Sequence, residues 1–159
     1  MPIVFQYGSN TSVRRLNSAT RLNGAAAVIG VARTVDSFDL EFTVSSRVNN
    51  CAAANIAAGG GRQIWGVLFE IPALEALDAI EGVNTGNYRR QLLRVTRPPS
   101  TDPLDVITYV AASPTQGIRT EQHYVDHILS GLGEYPGVPA EYLDYVRAQI
   151  RLNNPTLRV

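Results

Sequence analysis

The sequence predicts an α+β fold: a small mixed β-sheet, closed or nearly closed on itself, with helices packed outside. Strand-like segments rich in β-branched and aromatic residues fill the first two-thirds of the chain, and helical periodicity dominates the end. No internal repeat or separating linker interrupts the 159 residues, a length suited to one domain spanning 1–159.

Ile3 to Tyr7 is a short apolar run that stops at Gly8 and reads as a buried strand entering a turn. Ser12 or Asn10 caps a helix expected over Val13 to Leu22, which Gly24 ends. Ala25 to Thr34 and Phe38 to Val44 read as two paired strands separated by Asp36-Ser37, and Ala52 to Ala57 adds a third. After Gly59-Gly60-Gly61, Gln63 to Ile71 is a strongly apolar strand carrying Trp65, Val67 and Phe69, stopped by Pro72. Leu74, Leu77 and Ile80 then recur at helical spacing through Ala73 to Glu81, which places Glu81 at the helix end, just before Gly82. A carboxylate there opposes the helix macrodipole and calls for a compensating interaction. Asn84 to Asn87 forms a loop, and Tyr88 to Val95 and Asp105 to Ala112 are two more strands around Pro98-Pro99. Helices follow over Glu121 to Leu132 and from Pro139-Ala140-Glu141 to about Leu152, leaving Asn153 to Val159 as a C-terminal tail.

Composition removes several function classes. Hydrophobic residues make up 45% and charged residues 18%, a globular balance. Fourteen basic and 14 acidic residues leave no net charge to attract nucleic acid or an anionic membrane, so neither is expected as a partner. Every basic residue is Arg, which excludes lysine Schiff-base chemistry and a lysine-dependent phosphate loop. Cys51 is the single cysteine and cannot form an internal disulfide. Met1 to Phe5 carries no leader pattern, so a cytoplasmic enzyme, monomeric or a small homo-oligomer, is expected.

Two features can carry chemistry. The turn Tyr7-Gly8-Ser9-Asn10 after a buried strand can present backbone N–H groups to a carboxylate or phosphate, although such a tetrapeptide is more often only a turn. Glu81 can act as a general base if it projects into a cleft where burial raises its pKa, against the commoner outcome of a solvated helix end. His123 and His127 share a helical face without a third ligand nearby, so no metal is expected. Gly59-Gly60-Gly61 precedes a strand instead of opening a helix, which favours a hairpin over a phosphate cradle.

Taken in order, Phe5-Gln6-Tyr7-Gly8-Ser9-Asn10, Ile64-Trp65-Gly66-Val67, Leu77-Asp78-Ala79-Ile80-Glu81-Gly82-Val83 and Gly86-Asn87-Tyr88 resemble the γ-glutamylcyclotransferase family. The resemblance continues through Ile107-Thr108-Tyr109-Val110 and Gly131 to Pro139-Ala140-Glu141-Tyr142, nearly the whole chain. It implies a small mixed β-barrel flanked by helices and a cofactor-free enzyme that cyclises a small-molecule γ-glutamyl substrate to 5-oxoproline, releasing an amino acid, amine or peptide fragment. By the same resemblance Glu81 is the base, Tyr7, Gly8, Ser9 and Asn10 hold substrate, and Tyr88 and Tyr109 border the pocket. Gln6 stands where family members commonly carry a small residue and alters the pocket floor. The loops Val48 to Gly61 and Ser113 to Thr120 are expected to set leaving-group selectivity. A γ-glutamylamine cyclotransferase and a non-enzymatic binder of γ-glutamyl-like ligands are the alternatives on the same fold.

Overall fold

The computed structural model describes residues 1–159. Six strands, β1 (Ile3–Gln6), β2 (Ala27–Ser46), β3 (Cys51–Ala58), β4 (Arg62–Glu70), β5 (Tyr88–Thr96) and β6 (Leu104–Ala111), form one sheet in the order β3-β2-β4-β1-β6-β5. β5 returns to pair with β2 through Arg33–Thr96 and Thr34–Val95, closing a five-stranded barrel that leaves β3 as an extra strand on β2. Every neighbour is antiparallel except β1 and β6, so the barrel is mixed, as the sequence predicts. Four helices pack around it: α1 (Val13–Leu16), α2 (Leu74–Glu81), α3 (Gln122–Gly133) and α4 (Ala140–Asn153).

Two expectations fail locally. The segment around Asp36-Ser37 does not separate two strands, because β2 runs unbroken for 20 residues. The polar pair falls in a register shift against β4 between Arg33 and Ser37, where Thr34 Oγ1 donates to the Asp36 carbonyl at 2.7 Å and accepts the Ile64 N–H at 2.9 Å. A side chain thereby takes over ladder bonds and the strand bends without stopping. The helix expected over Val13 to Leu22 ends at Leu16. Asn17 clasps Ala26 with both ends of its amide, Nδ2 to the Ala26 carbonyl and Ala26 N–H to Oδ1, each at 2.9 Å, folding the chain back into a compact loop. Such local side-chain bonding is how Asn competes with helical continuation.

β1 shows how the core is divided. Its alternation sends Phe5 into a larger cluster with Leu68, Ile128, Tyr142 and Val146, and Val4 into a smaller one with Leu16, Phe69 and Leu77 under α2. Both faces of the strand are therefore buried, each large aliphatic side chain contributing roughly 1.5–3 kcal/mol. Gly66 in β4 is required by this packing, since a Cβ would sit 2.3 Å from the Gln6 carbonyl oxygen and 2.7 Å from Phe5 Cζ. The last residues lie on the core: Asn154 Nδ2 donates to the Thr120 carbonyl, and Leu157 and Val159 pack against the larger cluster.

Candidate active site

β1 delivers the turn. Ser9–Thr11 forms one 3-10 turn, in which the Thr11 backbone N–H and Oγ1 both donate to the Gly8 carbonyl, at 3.1 and 2.8 Å. α3 holds it from the other side at Gly131, where a Cβ would approach Thr11 Oγ1 to 2.4 Å and the Ser12 nitrogen to 2.5 Å. The glycine lets the helix backbone touch the turn directly.

α2 delivers Glu81 as its last residue, and Gly82 caps the helix in the left-handed conformation at φ 65°. The compensating interaction that the macrodipole demands comes from the turn. Asn10 Nδ2 donates to Glu81 Oε1 at 2.9 Å, and Arg21 Nη1 donates to Asn10 Oδ1 at 3.2 Å. Burial pushes the Glu81 carboxyl up to about 7, opposed by the Asn10 hydrogen bond and then by the Arg21 and Arg15 charges. As a residue Glu81 is only partly buried because it faces an open cavity, yet loss of hydration still dominates at its carboxylate. Near neutral pH it therefore exchanges its proton readily.

Four tyrosines form the surroundings. Tyr7 donates to the Tyr109 carbonyl at 2.6 Å, and Tyr109 donates to Asp78 Oδ1 at 2.7 Å, with Arg90 gripping both oxygens of Asp78. Tyr88 donates to the Ala54 carbonyl at 2.5 Å while the Ala54 N–H donates to Tyr124 Oη at 2.8 Å, so β3 is held to the site through one residue. Burial raises all four phenols, Tyr124 to about 12, which keeps them neutral.

Together these groups enclose a cavity of about 560 Å³, a volume typical of small-molecule sites. Tyr7, Gly8, Ser9, Asn10, Glu81, Tyr88 and Tyr109 all line it. Arg21, Tyr124 and the end of β2 with the connection that follows, from Ser45 to Asn49, also line it; of these only Val48 and Asn49 lie in a segment expected at the site, the loop Val48 to Gly61. Of the two loops expected to control selectivity, only the first reaches the cavity. Gln116, Gly117 and Ile118 of the second border a separate, smaller depression. His123 Nε2 lies 2.7 Å from the Asn49 carbonyl oxygen, and no three His, Cys, Asp or Glu side chains cluster as metal ligands. No helix is long and apolar enough to cross a membrane.

A closed mixed barrel with four helices and this cavity is a γ-glutamylcyclotransferase-like fold. It superimposes on a solved γ-glutamyl cyclotransferase with a TM-score of 0.84 at 27% identity, over 99% of this chain and 92% of that one. The human protein LOC79017 is similar at 0.81 and 28%, over 92% and 86% of the two chains. YkqA of Bacillus subtilis matches at 0.79 and 25%, over 94% of this chain and 54% of its own. The model of the AIG2-like family matches residues 63–146, and the chain belongs to that family. No curated protein is significantly similar to it in sequence.

Proposed function

We propose that the protein is a γ-glutamylcyclotransferase, with Glu81 as its general base. One observation carries this reading: a carboxylate at a helix end is drawn into a cavity and held there by Asn10 of a turn 71 residues away. Family and fold support the same class of activity.

A γ-glutamyl compound brings its own nucleophile. Glu81 takes a proton from the substrate α-ammonium, and the freed amine nitrogen attacks the γ-carbonyl carbon, closing a five-membered ring. The proton held by Glu81 passes to the departing nitrogen as its bond to that carbon breaks, and the second proton shed by the ring nitrogen follows it, leaving 5-oxoproline and an amine released as its ammonium. Atoms balance without water. Fixing amine and carbonyl at attack distance supplies effective molarities of roughly 10⁵–10⁸ M in favourable intramolecular cases. The protein therefore needs to fold the substrate and pass protons from the attacking nitrogen to the departing one. With its carboxyl near 7, Glu81 is a strong enough base to accept that proton and a strong enough acid to return it. The turn Tyr7 to Asn10 seats the γ-glutamyl head, and Tyr88 and Tyr109 supply walls, since their hydroxyls are committed to Ala54 and Asp78.

The test is incubation with γ-glutamyl dipeptides, glutathione and γ-glutamylamines, with 5-oxoproline followed by mass spectrometry. The natural sequence is expected to release 5-oxoproline from at least one class, and folded Glu81→Gln to release none. Equal product from Glu81→Gln would remove Glu81 as the base, and no product from any compound would sink the cyclotransferase reading.

A further inference from the structure

The cavity wall includes a residue whose donor the fold itself leaves unused. Gln6 ends β1, is 6% exposed and lines the cavity, and its Nε2 is buried without a hydrogen-bond partner. It is the only cavity-lining residue with such an orphan. Around it, Asn10 is committed to Glu81 and Arg21, and Tyr7, Tyr88 and Tyr109 donate to protein oxygens. A buried amide donor without a partner is uncommon and unfavourable, and it marks a place where a ligand atom completes the bonding.

We propose that Gln6 is a substrate-contacting residue whose side-chain amide donates to an oxygen of the γ-glutamyl head. The inference rests on the cyclotransferase reading of this site. Position supports the head over the leaving group. Gln6 immediately precedes the Tyr7 to Asn10 turn and shares the β1 face of Val4, the face that packs toward α2, whose last residue is Glu81. The rim is made by different residues, Arg47 and Val48, both exposed on the β2–β3 connection. A group near the turn and Glu81 meets what every substrate shares, whereas the rim meets what differs.

Gln6→Met tests this, because methionine keeps the length of the side chain and removes its hydrogen bonding. The expected result is a fall in kcat/KM of about 5–10-fold, the value of one neutral hydrogen bond, of similar size for every leaving group. The melting temperature should stay level or rise, since an unpaired buried amide has been removed. Gln6→Ala should give the same uniform kinetic loss if Met packs poorly. Unchanged kinetics in a folded variant, or a loss confined to particular leaving groups, overturns the assignment. If the natural sequence forms no 5-oxoproline, the cyclotransferase reading fails and this inference falls with it. If the natural sequence turns over and Gln6→Met matches it, the Gln6 assignment alone fails.

Discussion

Glu81 holds its proton more tightly in the folded protein than in the unfolded chain, with its carboxyl raised from 4.5 to about 7. Between those values the folded state binds more protons than the unfolded one, so this residue's contribution falls as pH rises and is fully unfavourable above about 7. Glu81→Gln carries no such penalty. Its melting temperature is expected to exceed that of the natural sequence at pH 8, by about 1–3 kcal/mol of stability after allowing for solvent in the cavity, and to match it near pH 4. Calorimetry at the two values decides; a variant less stable at pH 8 contradicts the burial account. With Glu81 as the proposed base, kcat/KM should climb as pH rises through about 7. Arg21→Met removes both a cation that favours ionised Glu81 and the anchor of Asn10, and should move that rising limb to higher pH. An unmoved midpoint would show that Arg21 acts only on binding. Glu81 was legible in the sequence because a helical repeat and Gly82 fixed its place. Arg21 was not, since its reach depends on Asn17 clasping Ala26, and Tyr124 was hidden because helical spacing does not separate a core residue from a cavity wall.

At the scale of elements, the site is a junction of β1, α2, α3 and β3. Gly131 and Gly133 lie in one helix and differ only in what faces them: Thr11 and Ser12 in the first case, open space in the second. Gly131→Ala should therefore cost roughly 1–3 kcal/mol and depress turnover by displacing the turn, while Gly133→Ala is neutral or slightly stabilising. Urea denaturation and 5-oxoproline release on both variants check this, and equal effects would deny the contact its role. Tyr124→Phe strips the Ala54 N–H of its partner, and hydrogen exchange should quicken along β3 at a stability cost of about 1–3 kcal/mol. Apolar runs and turn glycines revealed most strands and both long helices in advance. The misreadings, β2 and α1, share one cause: Thr34 and Asn17 replace backbone partners with side-chain bonds, a decision made by tertiary contacts and invisible to periodicity.

For the molecule as a whole, closure depends on a short seam. Two residue pairs join β2 to β5, and Thr34 of one of them is fully buried with its hydroxyl satisfying Ile64. Thr34→Val preserves shape and leaves that N–H unpaired, so the urea midpoint should drop by the equivalent of about 1–3 kcal/mol with an unchanged slope. A reduced slope would mean instead that the barrel had opened before unfolding. Barrel closure was inferred correctly from the mix of strands and helices, although no single segment encodes the seam.

The placement of β1 between β4 and β6 also dictates an order of assembly. Ile3 pairs with Glu70, and Val4 with Ile107, so the first strand waits for partners made far later in the chain. Loop closure over such separations is slow compared with forming the local hairpins β2–β3 and β5–β6. Asn10 meets Glu81 only after β1 is captured, so the cavity with its buried carboxylate is assembled late. Refolding followed by Trp65 fluorescence should run ahead of recovered turnover, and a nascent chain that has not yet produced β6 should be folded in part and inert toward substrate.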